Sequence, residues 1–203
     1  MLLDADDSQL VLVDYQPRLM PAIHEGPQVL ANGLRLAQLA RLFEVPAWGT
    51  EQSPDKLGSH PAELRSLCQR TLVKQQFSAA AEGLVDWLRP PARPQSGNAR
   101  SLPKHLQKER AQAPREPERP SIVIAGCEAH VCLMQTALEL LEQEFEVWVV
   151  TDACGSRTER NRDAAFDRLA GAGAELLTTE MVAFEWLRGA DHPAFAEVQA
   201  LIK

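Results

Sequence analysis

Short, β-branched apolar runs alternate with longer segments of helical period along nearly the whole chain, and this alternation restricts the fold more than any other feature. "SQLVLVDY" reads as a first strand. "GPQVLANGLRLAQLARLFE" reads as an amphipathic helix, apolar at Val29, Leu30, Leu34, Ala37, Leu39 and Leu42. "VPAWGTEQ" follows as a short second strand with its loop, then "HPAELRSLCQR" as a short helix and "RTLVKQQF" as a further strand or strand edge. "SIVIAG" has consecutive apolar positions, which suit a strand covered on both faces. After it come the helix "VCLMQTALELLEQE", the strand "EVWVVTDA", the helix "RNRDAAFDRLAGAG", the strand "AELLTT" and the helix "EMVAFEWLRG". Right-handed βαβ units of this kind build an α/β fold: a three-layer, doubly wound, mostly parallel sheet with helices on both faces. Sites in such sheets lie beyond the carboxyl ends of the strands. Asp14, residues 126–132 and the "TDACGSR" loop are therefore expected to gather at one edge.

A chain of 203 residues is long enough for one such domain and short for two, so the expectation is a single domain over 1–203. One stretch interrupts the rhythm. Residues 89–120 carry Pro90, Pro91, Pro94, Pro103, Pro114, Pro117 and Pro120 and almost no large apolar side chain, which predicts a flexible insertion. The stretch is basic in an acidic protein and reads as a solvated loop or as a docking segment for a partner. A net charge of −7 argues against a general affinity for nucleic acid. No apolar run is long enough to span a membrane. "MLLDADDSQL" has neither the basic start nor the apolar core of a signal peptide, so a cytoplasmic location is expected, with stable disulfides disfavoured.

Cys68, Cys127, Cys132 and Cys154 show no CxxC spacing and no second ligand pair at zinc-finger distance, which weighs against both a metal clasp and a disulfide. Cys132 falls in the expected first turn of a helix that follows a buried strand. There the helix N-terminus favours a thiolate and offers N–H groups to an oxyanion, although a cysteine beside "VIAG" is also an ordinary small core residue. Cys127, next to the strand end, fits the core role. Asp14 closes a buried strand, where a carboxylate is costly without a partner or a task. Lys74, a cation in an otherwise apolar run, reads alone as an edge-strand lysine that guards against strand-on-strand association.

Taken together, Asp14, Lys74 and Cys132, with "GCEAHVCLMQTALELL", "VWVVTDACGSR", "AGAELLTTE", "TEQSPDKLG" and "VKQQFS", resemble the isochorismatase-like (cysteine hydrolase) superfamily, and most of all its isochorismatase domain-containing subgroup. The resemblance implies an Asp–Lys–Cys triad. Cys132 would be the nucleophile, Asp14 would take and return its proton, and Lys74 would keep Asp14 ionised and help stabilise the thiolate. It also implies a cis peptide between Cys127 and Glu128 that aims the Glu128 N–H, with that of Cys132, at an oxyanion. Tyr15, Gln16, Gln52, Phe77 and His130 flank the triad as candidate substrate-binding residues. Metal-binding relatives carry an aspartate and two histidines in and after the loop beyond the second strand. Here Gln52 and Pro54 stand at two of those places and only His60 remains, so no metal and no cofactor are expected. The reaction implied is hydrolysis of a small amide or ureido-type C–N bond through a thioester-type intermediate, in a homo-oligomer (dimer or tetramer) that binds a small molecule and neither nucleic acid nor membrane. The competing reading is a scaffold protein that keeps the fold without the chemistry. A dinucleotide-binding oxidoreductase is disfavoured, since "DYQPRL" after the first strand has no glycine-rich phosphate loop.

Overall fold

The computed structural model describes residues 2–89 and 119–203. The expected insertion at 89–120 lies almost wholly outside the described residues. Six strands, β1 (Ser8–Val13), β2 (Ala47–Gln52), β3 (Arg70–Lys74), β4 (Ser121–Cys127), β5 (Glu146–Gly155) and β6 (Glu175–Leu177), form one sheet in the order β3-β2-β1-β4-β5-β6. Every pairing is parallel, so the sheet goes beyond the mostly parallel one expected. β1 and β4 are buried along their whole length, as their unbroken apolar runs require of strands covered on both faces.

The helices divide into two layers. α1 (Gly26–Leu42) packs with α3 (Ala62–Leu67), α7 (Thr179–Leu187) and α8 (Phe195–Ile202), while α5 (Met134–Glu142) packs with α6 (Glu159–Gly171). Two short helices, α2 (Pro54–Leu57) and α4 (Leu84–Leu88), complete the set among the described residues. α6 and α7 begin where Thr158 and Thr178 accept the N–H of Asn161 and Met181, the side-chain cap expected of threonine just before a helix.

Three local features differ from the sequence reading. α4 and α8 were not legible: one is a single turn, and the other, "FAEVQALI", is a short apolar segment after a proline-containing loop. "VCLMQTALELLEQE" does not enter an α-helix directly, because Ala129–Leu133 forms a π-helical turn that precedes α5. β5 also runs through most of the supposed "TDACGSR" loop. The register shifts between Ile124 and Gly126, so that Cys154 and Gly155 pair with Gly126 and Cys127. Only Ser156 and Arg157 of that loop lie beyond the strand.

The strand order reverses direction at β1, with β2 and β3 to one side and β4, β5 and β6 to the other. In a doubly wound sheet the crevice opens at this reversal, outside the carboxyl ends of the two central strands. Asp14 follows β1 directly, and Cys127 ends β4 there. At Gly126 the two strands touch so closely that a Cβ would stand 2.0 Å from the Val13 carbonyl oxygen, and φ is +142°. Only glycine fits that position.

Candidate functional site

The triad candidates converge in space. The Lys74 Nζ donates to Asp14 Oδ2 at 2.8 Å, and neither side chain has any exposed surface. The Cys132 thiol stands where it interacts with both the Asp14 carboxylate and the Lys74 ammonium. Asp14 is held at φ +51° just past the end of β1; its N–H donates to the Thr50 carbonyl, and its own carbonyl accepts from Gln16 N–H. This places the carboxylate over the ends of β2 and β3 rather than along the strand.

Each member of the group is fixed by neighbours. The Thr50 hydroxyl donates to Asp14 Oδ1 at 2.7 Å. The Lys74 ammonium also donates to Gln52 Oε1 at 2.8 Å and to the Phe77 carbonyl at 3.0 Å, so its three protons have three close acceptors. The Glu128 carbonyl accepts from Val131 and Leu133 N–H, which shapes the π-helical turn carrying Cys132. The Cys132 carbonyl in turn accepts from Thr136 Oγ1, which itself accepts from Ala79 N–H; Ser78 Oγ donates to Glu139. These last bonds tie the segment after Lys74 to α5. The peptide bond between Cys127 and Glu128 is cis.

Burial pushes Asp14 up from the ordinary carboxylate range, against the opposing pull of Lys74, Thr50 and Cys132. Burial, and then the neighbouring Asp14 charge, push the Cys132 thiol up to about 12. The expectation of a thiolate stabilised at rest by a helix N-terminus is therefore corrected. Cys132 lies inside a π-helical turn and is nearly buried, and the desolvation penalty exceeds what Lys74 returns. At rest the Cys132 thiol is neutral, which calls for a base that removes its proton during attack.

Of the flanking residues, three are not available to a substrate. Tyr15 is fully buried: its hydroxyl donates to the Ala153 carbonyl, and its ring packs on Gly33 and edge-on against His60. Gln16 is also fully buried, and its amide grips both the N–H and the carbonyl of Gln52 and the carbonyl of Gly58. Gln52 offers Oε1 to Lys74 and Nε2 to the Gln75 carbonyl and Ser53 Oγ, so it holds the lysine rather than waiting for a ligand. Phe77, 53% exposed, and half-buried His130, which bonds Ser156 through Nδ1 at 2.9 Å and lies 3.4 Å from Asn161 through Nε2, remain at the rim of the site. Arg157 joins that rim, donating from its backbone and its guanidinium to the Glu128 carboxylate. Thr50 was missed by sequence reasoning. Its only signal is its place two residues before Gln52, on the same face of β2.

The residues at the places where some relatives bind metal do not suit an ion. Gln52 is engaged as described, and Pro54 has no donor. His60 accepts the Tyr15 N–H at its ring Nε2, while its backbone N–H donates to the Glu51 carboxylate and its ring Nδ1 has no hydrogen-bond partner among the described residues. Burial lowers His60 to about 4, so its ring is neutral. Among the described residues no three His, Cys, Asp or Glu side chains converge as a metal would require, and none of the helices is long and apolar enough to cross a membrane.

Comparison with known proteins agrees with the fold. The chain is 34% identical over 201 residues to mouse isochorismatase domain-containing protein 2A, covering 98% of this chain and 84% of that protein. Among solved structures, a MAR1 ribonuclease of Caenorhabditis elegans superposes with a TM-score of 0.82 at 29% identity, covering 100% of this chain and 92% of that one. The YcaC protein of Escherichia coli, described as an octameric hydrolase of unknown specificity, superposes with a TM-score of 0.75 at 27% identity, over 100% and 89% of the two chains. These likenesses point to a hydrolase. The isochorismatase domain model matches residues 8–181, a range that spans all six described strands, and this protein belongs to the isochorismatase domain family.

Proposed function

We propose that this protein is a cysteine hydrolase that cleaves a small amide or ureido-type C–N bond without a cofactor. The observation that carries the reading is a buried carboxylate, ion-paired to a buried lysine and set against the Cys132 thiol at the crevice where the described strand order reverses. Asp14 accepts the Cys132 proton as Sγ attacks the carbonyl carbon; its burial-raised affinity for protons suits it to that task. The N–H groups of Glu128 and Cys132 receive the negative oxygen. Collapse of the tetrahedral intermediate breaks the C–N bond, and the leaving nitrogen takes the proton from Asp14. A thioester to Cys132 remains. Water then attacks it, giving a proton to Asp14, which passes that proton to the departing sulfur. Lys74 stays protonated throughout, bound to Asp14, Gln52 and the Phe77 carbonyl, and keeps Asp14 from remaining protonated between steps.

The description of the nematode structure as a ribonuclease supplies a second reading, phosphodiester cleavage, against which the net charge of −7 weighs. The test is a screen of small amides, ureas, carbamates and a single-stranded RNA with the purified protein, Cys132→Ala and Asp14→Asn. We expect turnover of a C–N substrate that both variants lose together, since members of one proton-transfer unit fail as a unit. A chelator is expected to change neither turnover nor melting temperature. Turnover that survives in Cys132→Ala would refute the mechanism, and cleavage of RNA alone would favour the second reading.

A further inference from the structure

We propose that Thr50 is a positioning residue for this site, whose hydroxyl fixes one oxygen of Asp14 and keeps the carboxylate in its proton-accepting form. The inference rests on Asp14 acting as the base for Cys132. β2 lies between β1 and β3 and contributes none of the three reacting residues. Its Thr50 and Gln52 nevertheless project from one face, where Thr50 binds Asp14 and Gln52 binds Lys74.

The two oxygens of Asp14 are thereby distinguished. Oδ1 accepts from Thr50 at 2.7 Å and Oδ2 from Lys74 at 2.8 Å, both donors being fully buried. With one donor on each oxygen the carboxyl cannot rotate, and its remaining lone pairs are left to the thiol. The titratable groups around Asp14 are Lys74 from β3, Cys132 from the π-helical turn and Cys127 from the end of β4; neutral His60 lies behind the Tyr15 peptide. Thr50 differs from all of these in being neutral at every pH. Its hydroxyl donates more strongly to the ionised carboxylate than to the protonated acid, so it opposes the desolvation that favours the acid.

The experiment needs no substrate. Alkylation of Cys132 by iodoacetamide, located by peptide mass spectrometry, is followed across acid and alkaline pH in the wild type, Asp14→Asn, Thr50→Val and Thr50→Ser. In the wild type the rate should rise through an acid limb as Asp14 ionises, hold level, and rise again as the thiol itself ionises. Thr50→Val should move the acid limb upward by about one pH unit, the effect of losing one hydrogen bond to a charged group. Thr50→Ser should leave it in place. If valine does not fold, Thr50→Ala is read in the same way. An acid limb unmoved in Thr50→Val, but lost in Asp14→Asn, overturns the role of Thr50 and leaves the base intact. An acid limb that survives in Asp14→Asn overturns the base, and this inference with it.

Discussion

Lys74 and Asp14 form an ion pair with an Nζ–Oδ2 distance of 2.8 Å and no exposed surface on either side chain, so cutting it from one side should be costly. In Lys74→Met the apolar chain fills similar space, but Asp14 keeps its charge with only the Thr50 hydroxyl for compensation. Leaving one partner of a buried pair uncompensated costs about 3–5 kcal/mol. Asp14→Asn strands the ammonium instead; Gln52 and the Phe77 carbonyl still receive it, so its cost belongs toward the lower end of that range. The double variant removes both charges and should lie within about 2 kcal/mol of the wild type, because a neutral buried pair has no ion to desolvate. Against a typical total stability of about 5–15 kcal/mol, the single variants should fold but unfold early. Equilibrium urea unfolding near neutral pH, followed by tryptophan fluorescence, reads the full cycle. Acidification supplies an internal control. Without Lys74, burial alone holds the Asp14 carboxyl above its unfolded value of 3.8, so protonation favours the folded state. The deficit of Lys74→Met should therefore shrink as pH falls through the raised folded value. Single variants that each lose under about 1 kcal/mol, or losses that simply add, would refute the view that each charge is there for the other.

Two further perturbations test the framework around the site. His60 is lowered to about 4 from 6.5 by burial, so between those values the unfolded chain takes a proton that the folded protein refuses. Stability should fall by up to about 3 kcal/mol as pH drops through that window, and urea midpoints of His60→Gln should lose that part of the acid slope; an unchanged slope would show that other groups cause it. Gly126→Ala would place a Cβ 2.0 Å from the Val13 carbonyl oxygen at φ +142°, which should cost at least about 3 kcal/mol and displace Asp14. A wild-type melting temperature for that variant would contradict the close contact of β1 and β4.

The sequence by itself determined the layers, the strand and helix alternation and the edge at which Asp14 and Cys132 meet, while Lys74 joined them only through the family resemblance. Period and burial are properties of local residue order, and strands buried on both faces are written as unbroken apolar runs. It did not determine what each polar group beside the triad does. Tyr15, Gln16 and Gln52 are adjacent to triad residues in the chain or on a neighbouring strand, and adjacency suggested a pocket. Only the tertiary fold turns Tyr15 into the core against Gly33 and commits both glutamines to backbone and lysine. Thr50 was invisible for the opposite reason: a threonine in a strand needs no explanation until a carboxylate from another strand is found 2.7 Å from its hydroxyl. The protonation state of Cys132 also belongs to the fold. Its position at the start of a helical segment argued for a thiolate, but burial and the Asp14 charge act through space, and they leave the thiol protonated until the base beside it takes the proton.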